Sequence, residues 1–293
     1  MEHSKLLSTK AKAFFAVFLI YLICLSFRVL EYFVIGTDQT FFGEAFIHKL
    51  IGIGILVGAL FLFRYRFSEI GFKGGKAFYD ILKGIAFGLA VFLVSYGVEI
   101  LILVAQNDFQ GLEFYVSAYS VNGNFGKRTE FIFFFICIIG NVINVLMEEG
   151  IFRGLFQKVL GDKSGFLGAA IVSSALFGLW HIMSPLRSFV DGEMSLPGFI
   201  ANSCLLIGTS ALVGFKFALI GKMTGNLYLA MGDHFVNNTI VNILHVVSKE
   251  EADGLLTVRI TIAQTLSFVV VLICYLIIHF KGKRKANEGE QRF

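Results

Sequence analysis

Charged residues and prolines are scarce in this chain, and both shortages limit the classes of protein to which it can belong. Asp, Glu, Lys and Arg together make up 16% of the 293 residues, whereas about a quarter is usual in a soluble globular protein. The two prolines, Pro185 and Pro197, leave long stretches in which nothing interrupts a helix. The apolar share is 56% and the mean hydropathy is +0.76. Because the apolar residues form runs of about twenty, which match the thickness of a bilayer core, the sequence predicts an all-α polytopic membrane protein.

Two further absences exclude whole classes of protein. The four cysteines each lie inside an apolar run and form no CxxC pair, so neither a zinc ribbon nor a disulfide framework is supported. The formal net charge is +4, but the basic residues are scattered over short loops and the tail rather than gathered in a stripe with exposed aromatics. Nucleic acid is therefore excluded as a partner, and the expected partner is the lipid bilayer.

About eight transmembrane helices are predicted, separated by clusters of glycine, asparagine and charge. They are roughly 12–35, 44–63, 79–105, 129–160, 165–184, 197–221, 225–246 and 259–280. No internal repeat divides them, so residues 1–293 are expected to form a single membrane domain. Its charged end, about residues 281–293, is predicted to be solvated and disordered.

The distribution of lysine and arginine predicts the orientation in the membrane. When the amino terminus is placed on the inner side and the spans alternate, the inner segments hold most of the basic residues and the outer segments hold few. Positive charge is preferentially retained on the cytoplasmic side. We therefore expect both termini to be cytoplasmic in a cell membrane, or in the endoplasmic reticulum if the cell is eukaryotic.

Two patterns within the early spans have structural explanations. Arg28 and Glu31 are three residues apart in the first span, so one face of the helix would pair them. Glycines at helical spacing are expected to allow close contact between helices. Two such pairs are Gly54 with Gly58 and Gly84 with Gly88.

Ionisable side chains inside spans mark candidate functional sites, because removing them from water is costly. In the fourth span, "NVINVLMEEGIFRGLF" places Asn144 and Glu148 on one helix face. Glu149 and Arg153 are four residues apart on a second face, turned by about 100°, and are expected to form an ion pair. Glu148 is thus the acid that a substrate or water can reach, while Glu149 and Arg153 support it.

Two further polar groups fall on other spans. "FGLWH" in the fifth span ends at His181, and "HFVNN" in the seventh places His234 and Asn238 four residues apart on one face. At about 1.5 Å per residue, Glu148, His181 and His234 lie roughly 18, 24 and 14 Å from the inner ends of their spans. Tilted helices can bring all three into one layer, which predicts a buried site.

The residue types in this layer suit the hydrolysis of an amide bond. Glu148 and His181 can hold and deprotonate a water molecule, and His234 and Asn238 can donate hydrogen bonds to the oxyanion of the tetrahedral intermediate. An alternative uses Glu148, His181 and His234 as zinc ligands with a metal-bound water. No HExxH motif occurs and asparagine is a poor zinc ligand. A site without a cofactor is therefore favoured, and zinc is the alternative.

The stretches "EEGIFR", "FGLWH" and "HFVNN" resemble the EExxxR, FxxxH and HxxxN motifs of the CAAX prenyl protease family. This is the CPBP group of intramembrane peptidases, which has a bacteriocin-processing and immunity branch. The motif-bearing core covers about residues 129–246. The resemblance implies an eight-helix fold whose active site lies within the membrane and opens toward the cytosol.

The resemblance also implies a role for each motif residue. The catalytic glutamate falls on Glu148, its companions on Glu149 and Arg153, the water-holding histidine on His181, and the oxyanion-hole pair on His234 and Asn238. The family has been described both as metalloproteases and as glutamate peptidases, so the zinc alternative stays open. The predicted function is an intramembrane endopeptidase acting on a membrane-associated or lipidated peptide or protein.

Two functions of other classes compete with this prediction. The first is a non-catalytic protein of bacteriocin self-immunity or peptide binding that uses the same pocket. The second is a transporter with an internal proton relay. The sequence has neither repeated halves nor paired broken helices of the kind that transporters show, so the transporter is disfavoured.

Overall fold

The computed structural model describes residues 7–117 and 126–290, with side chains as far as residue 281, and most of the described chain is helical. The helices are α1 (Lys10–Leu30), α2 (Ile47–Phe63), α3 (Ala77–Ala105), α4 (Phe131–Glu148), α5 (Gln157–Trp180), α6 (Met183–Val190), α7 (Leu196–Thr224), α8 (Tyr228–Ile243) and α9 (Leu256–Glu290). A π-helical segment, Glu149–Phe156, joins α4 to α5 without a break.

The prediction of an all-helical polytopic membrane protein is confirmed. Each of the eight predicted spans coincides with a helix, and five segments of the described chain are long and apolar enough to cross a membrane. One of these, Phe131–Val190, has 60 residues and bends at Gly165, whose φ is +72°. It covers the fourth and fifth predicted spans. α2 and α8 have only 17 and 16 residues, fewer than the roughly 20 that a bilayer core needs, so the exact number of spans stays a prediction.

Apolar side chains cover both the interior and the outer surface of the bundle. The main core forms where α1, α2, α4 and α5 meet, around the buried rings of Phe152, Phe156 and Trp180. On the outer surface, Phe61 and Leu93 are exposed. Exposed apolar side chains on every long helix are what lipid contact requires, since lipid rather than water surrounds them.

Glycines bring α3 and α8 into close contact. A β-carbon at Gly84 would overlap the backbone oxygen of Leu229, and one at Gly232 would overlap the backbone oxygen of Ile81. Only residues without a side chain allow this approach. By contrast, a β-carbon at Gly54 would meet no atom within 4 Å, and the same holds for Gly58. The expectation of close helix contact is therefore right for the pair in α3 and wrong for the pair in α2, which faces outward.

The π-helical segment that follows α4 is buried throughout. All eight of its residues are buried, and it packs against α2 and against the connection between α2 and α3. A β-carbon at Gly150 would lie 2.6 Å from Leu56 Cδ2, so glycine is needed for this contact. π-helical turns are rare and frequently occur at functional sites. Here the segment begins at Glu149, directly after Glu148.

Two short strands, which the sequence did not predict, close one end of the bundle. β1 (Phe109–Phe114) and β2 (Leu244–Ser248) pair antiparallel and follow the carboxyl ends of α3 and α8. Loop 36–46 lies at the same end, where the carbonyl of Phe41 accepts a hydrogen bond from Arg128. We call this end of the bundle the sheet end. The predicted orientation assigns it to the outer side of the membrane.

Two helical segments also differ from the prediction. α6 follows α5 after a turn at His181 and Ile182, in a region expected to be the end of a span and a loop. α9 continues as far as Glu290, into the charged end that was predicted to be disordered. The side chains of residues 282–290 and the whole of 291–293 lie outside the described residues.

Candidate active site

Two adjacent acids at the junction of α4 and the π-helical segment form the centre of the site. Glu148 is the last residue of α4 and Glu149 is the first residue of the segment, and both are buried. Consecutive residues of a helix point in directions about 100° apart. Their carboxylates consequently have different neighbours.

Glu148 contacts side chains from two other helices. The Nε1 atom of Trp180 donates a hydrogen bond of 3.0 Å to Glu148 Oε1. The other carboxylate oxygen, Oε2, lies 3.5 Å from His234 Nε2. Residues of α4, α5 and α8 therefore meet here, but the residue of α5 that contacts Glu148 is Trp180 rather than His181. The carboxylate keeps one oxygen on the indole and turns the other toward the imidazole.

Glu149 holds His234 from the opposite side of the imidazole. His234 Nδ1 lies 2.8 Å from Glu149 Oε1, and Arg153 NH1 lies 3.3 Å from the same oxygen. The predicted pair of Glu149 and Arg153 is thus present in the structure. Because a carboxylate only accepts hydrogen bonds, Nδ1 of His234 carries a proton, which fixes the ring with Nε2 toward Glu148.

Aromatic rings enclose this chain of polar groups. The ring of Phe217 stacks on His234 with centroids 4.9 Å apart, and Phe177 meets His234 edge-on at 6.2 Å. The guanidinium of Arg153 lies over Phe177, 3.8 Å from the ring centroid. A cation over the face of a ring is stabilised by the ring's quadrupole. The rings also exclude water, which strengthens the ion pair behind His234.

His181 occupies the turn that ends α5. Its Nδ1 donates to the carbonyl of Phe177 at a distance of 2.8 Å, so Nε2 is the nitrogen left free to act on another group. No direct contact between His181 and Glu148 occurs among the residues that the structure describes, but the two side chains lie within electrostatic range of each other. The two residues therefore interact through their charges rather than through a hydrogen bond.

Asn144 and Asn238 line a cavity of about 300 Å³ beside these residues. Its wall consists of Tyr32, Glu44, Lys49, Asn141, Asn144, Asn237, Asn238, Val241, Asn242 and Ile260. Asn144 precedes Glu148 by one helical turn and Asn238 follows His234 by one turn, both in the direction of the sheet end. The cavity thus adjoins the buried acids and histidines on that side.

The position of the cavity brings two predictions into conflict. The distribution of basic residues assigns the sheet end to the outer side, whereas the family resemblance implies an active site that opens toward the cytosol. The cavity lies toward the sheet end, since its lining includes residues near the amino ends of α2 and α9, such as Lys49 and Ile260. Both predictions can hold only if substrate reaches the site by a route other than this cavity.

The sequence did not predict the places of two residues next to the site, Trp180 and Arg28. Trp180 donates a hydrogen bond to Glu148. The sequence signal for it was that the chain's single tryptophan directly precedes His181. Arg28 does not pair with Glu31, so that expectation is wrong. Glu31 instead accepts hydrogen bonds from the backbone and the ring of His48. Arg28 lies over the ring of Trp180, with its guanidinium carbon 4.4 Å from the ring centroid.

The residues named for zinc do not form a metal-binding group in this arrangement. Across residues 7–117 and 126–281, no three His, Cys, Asp or Glu side chains lie close enough together to hold a metal ion. Glu148 and His234 face each other, but His181 is turned toward the carbonyl of Phe177 through its Nδ1. The hydrogen bond from Nδ1 leaves Nε2 of His181 free, so zinc binding by these three residues would require only that their donor atoms move closer together.

The fold and this buried group of glutamates and histidines together define a class, that of helical membrane proteins with a candidate catalytic centre inside the bundle. Comparison with known proteins then gives the family. The family model described as "Type II CAAX prenyl endopeptidase Rce1-like" matches residues 130–240, which contain all three motifs. The motif-bearing segment thus matches the model of a CAAX prenyl protease family, and the resemblance expected from its motifs is confirmed.

A curated relative supports the same assignment. The "Putative membrane peptidase YdiL" of Bacillus subtilis (strain 168) is 27% identical to this chain over 107 residues. The aligned part covers 36% of this chain and 36% of the relative. The similarity therefore concerns about a third of either protein.

Proposed function

We propose that this protein is an intramembrane endopeptidase that hydrolyses a peptide bond in a membrane-associated or lipidated peptide or protein. The observation that carries the proposal is the contact between Glu148 and His234, whose imidazole is held from behind by Glu149 and Arg153. A base and a fixed hydrogen-bond donor thus face each other beside a polar cavity. The family of the motif-bearing segment supports the same activity.

In the proposed reaction, Glu148 takes a proton from a water molecule while the water oxygen attacks the carbonyl carbon of the peptide bond. His181 orients this water through Nε2, since its Nδ1 is engaged by the carbonyl of Phe177. The electron pair of the carbonyl moves onto its oxygen, and His234 and Asn238 donate hydrogen bonds to it. Each such donor contributes about 3 kcal/mol. The C–N bond then breaks as Glu148 returns the proton to the leaving amine.

Glu149 takes a positioning role in this scheme. Its carboxylate contacts His234 Nδ1 and Arg153, and it is 0% exposed, so it has no access to a substrate. The negative charge of Glu149 stabilises a positively charged imidazole, which is the stronger donor to an oxyanion. Glu149 and Arg153 thus act through His234 rather than on the peptide.

Zinc is the competing proposal for the mechanism. If the protein binds zinc, Glu148, His181 and His234 would hold the ion, which would supply a more acidic water as the nucleophile. Purified protein assayed for bound metal, and for activity with and without a chelator, separates the two mechanisms. We expect activity to persist after removal of metal.

The substrate is either a lipidated carboxyl-terminal tail or a bacteriocin-like or signalling peptide. A non-catalytic role in bacteriocin immunity or peptide binding is the alternative, since the same cavity could bind a peptide without cleaving it. The proposed location is the cell membrane with both termini cytoplasmic, or the endoplasmic reticulum in a eukaryote. In that orientation the cavity would receive substrates from the non-cytoplasmic side.

The decisive experiment compares the peptides in membranes of cells that carry wild-type protein, Glu148→Ala or His181→Ala. We expect an uncleaved substrate to accumulate in both variants and its fragments to disappear. Glu130→Ala is the matched control, because it removes an exposed acid at the amino end of the same helix. If all four peptide profiles agree at equal protein levels, or if an immunity phenotype survives both site variants, the protein is not a peptidase.

A further inference from the structure

A second cavity, which we call the basic pocket, lies at the end of the bundle opposite the sheet end. Its volume is about 370 Å³, and its wall comes from the α2–α3 connection, the π-helical segment, α5, the carboxyl end of α7 and the two residues before α8. The basic pocket shares no lining residue with the cavity beside Asn144 and Asn238. Its wall contains one acid, Glu69, and four cations, which are Lys73, Arg153, Lys158 and Lys222.

Two of the four cations in this wall are already neutralised by acids outside it. These pairs are Arg153 with Glu149 and Lys158 with Asp162. Among the residues that the structure describes, Lys73 and Lys222 have no acidic partner. The carboxylate of Glu69 accepts a hydrogen bond from the backbone N–H of Arg66. The wall therefore holds one more unpaired cation than acids, and an anion is the ligand that would balance it.

Both unpaired ammonium groups lie against residues that line the basic pocket. A β-carbon at Gly225 would lie 3.7 Å from Lys73 Nζ, and Lys222 Nζ is 5.3 Å from the ring centroid of Phe166. Gly225 and Phe166 are both part of the wall. Lysine carries its charge on a flexible stem with three hydrogen-bond donors. An anion in the pocket is therefore within reach of ammonium groups from two different elements.

The amino end of α8 adds positive potential to the same pocket. Asn226 and Leu227, directly before the first residue of α8, line it. Asn226 accepts the N–H of Tyr228, but the first turn of α8 contains no acidic residue. The N–H groups at the start of a helix carry a partial positive charge and attract phosphate. Two ammonium groups beside a helix amino end are thus a combination that suits a phosphate group.

The surroundings of the basic pocket indicate that a phosphate can come from the membrane. Tyr79, in the first turn of α3, is exposed, as is Lys76 directly before that helix. Tyrosines concentrate at the level of the lipid headgroups. The predicted orientation assigns this end to the cytoplasmic side, whose leaflet carries anionic lipids that basic pockets between helices bind.

We propose that the basic pocket binds the phosphate group of an anionic phospholipid from the leaflet at this end of the protein. Lys73 and Lys222 supply the charge that selects an anionic headgroup, and the acyl chains stay in the bilayer. Because the bound lipid contacts the folded pocket only, it also stabilises the fold. The proposal does not depend on peptidase activity, since the pocket is separate from the cavity beside the proposed catalytic residues.

Three probes test the proposal on purified full-length protein in a non-ionic detergent. They are dioleoylphosphatidylglycerol, whose headgroup is anionic, dioleoylphosphatidylcholine, whose phosphate is neutralised by its choline, and inorganic phosphate. Native mass spectrometry counts the bound molecules during each titration, and thermal unfolding measures the stabilisation that they cause.

We expect phosphatidylglycerol to bind about 10-fold more tightly than phosphatidylcholine, because the unpaired lysines attract only the lipid with a net negative charge. The double variant Lys73→Gln with Lys222→Gln should lose this preference. The matched control is Lys76→Gln with Lys163→Gln, since these two lysines are exposed at the same end but do not line the pocket. In the control, the preference should be unchanged.

Equal binding of the two lipids to wild-type protein would overturn the proposal, and this comparison requires no variant to fold. The proposal is also wrong if the preference persists in the folded double variant, or if the control loses it equally. If inorganic phosphate displaces phosphatidylglycerol at equal concentration, the pocket is a site for free phosphate and not for lipid. None of these outcomes depends on the peptide profiles of the Glu148→Ala cells, so the two proposals can fail separately.

Discussion

His234 Nδ1 and Glu149 Oε1 lie 2.8 Å apart, which joins two motifs that are 85 positions apart in the chain. Arg153 contacts the same carboxylate oxygen. The orientation of the proposed oxyanion donor therefore depends on a buried ion pair in another helix. Because the ion pair both stabilises the fold and orients His234, its loss should affect stability and activity separately.

Glu149→Gln is expected to destabilise the protein by about 3–5 kcal/mol, because it leaves the buried charge of Arg153 without a partner. The double variant Glu149→Gln with Arg153→Met removes both charges, and we expect it to recover much of this stability. Activity should stay at least 10-fold below wild type in both, since His234 has lost the carboxylate that holds its ring. Thermal unfolding in detergent and cleavage of the identified substrate measure the two effects.

Asp162→Asn is the control for this pair. It breaks an ion pair of the same i,i+4 spacing, between Lys158 and Asp162, in the more exposed continuation of the helix. Exposed pairs contribute at most about 1 kcal/mol. Equal losses of stability in Glu149→Gln and Asp162→Asn would mean that burial of the Glu149 pair has no energetic consequence.

Trp180→Phe should lower activity more than stability. The phenyl ring preserves much of the packing against Tyr21 and Phe152, but Glu148 loses the hydrogen bond from the indole nitrogen. A hydrogen bond to a charged group contributes about 1.5–3 kcal/mol. We expect kcat to fall about 10-fold or more while the melting temperature shifts by only a few degrees. An unchanged kcat would show that the indole does not orient the carboxylate.

Gly84→Val should separate α3 from α8 and displace His234. The added side chain would collide with the backbone of α8 at Leu229 and at Asp233, the residue directly before His234. We expect loss of folded protein in detergent or loss of activity. Gly54→Val is the matched control in α2, where a β-carbon meets no atom within 4 Å; it should leave both unchanged.

Protonation of Asp253, at the sheet end, should lower the stability of the folded protein in acid. Burial acts to raise the pKa of Asp253, but hydrogen bonds from His245 and Arg259 outweigh burial and lower the pKa below its usual value. Because the pKa is lower in the folded protein than in the unfolded chain, ionised Asp253 stabilises the fold above the unfolded pKa, near 4. This stabilisation is lost as the pH falls from about 4 through the lowered pKa.

Asp253→Asn tests this prediction. Asparagine tolerates the left-handed backbone of this position, where φ is +63°. We expect the variant to melt at a lower temperature than wild type at pH 7, and the difference to shrink between pH 5 and pH 3. A difference that is constant over this range would rule out ionisation of Asp253 as its source.

Thiol labelling determines which side of the membrane the cavity faces. In a background whose four native cysteines have been replaced, Gln110→Cys marks the sheet end and Ser68→Cys marks the opposite end; both positions are exposed. With both termini cytoplasmic, a membrane-impermeant maleimide should label the first in intact cells and the second only after lysis. The reverse result would support a cavity that faces the cytosol.

Local spacing predicted the part of the site that lies within single helices. The pair of Glu149 and Arg153 follows from a four-residue spacing, and similar depths along their helices, estimated from helical rise, allow Glu148 to meet His234. These relationships depend only on residues of one helix or on positions along a membrane span. Neither requires knowledge of how the helices pack sideways.

Packing between helices decided the relationships that the sequence did not reveal. Glu31 is surrounded by backbone N–H groups at the start of α2 as well as by His48, which is 17 positions away, and these outcompete Arg28. Likewise, the glycine pairs of α2 and α3 look alike in the sequence, but Gly84 meets a neighbouring helix and Gly54 faces outward. Which face of a helix meets a partner is a property of the whole bundle.

The π-helical segment has a consequence for chain length. A π-helix uses more residues per turn than an α-helix, so the segment Glu149–Phe156 stores about one surplus residue. If one residue is deleted there, the segment can rewind to an α-helix. The helices on either side then present the same faces to their neighbours. The same deletion in α4 would rotate the helix before it by about 100° relative to Glu148. This stretch is therefore where the chain tolerates a change of length, although a deletion between Glu149 and Arg153 would change the four-residue spacing of their ion pair.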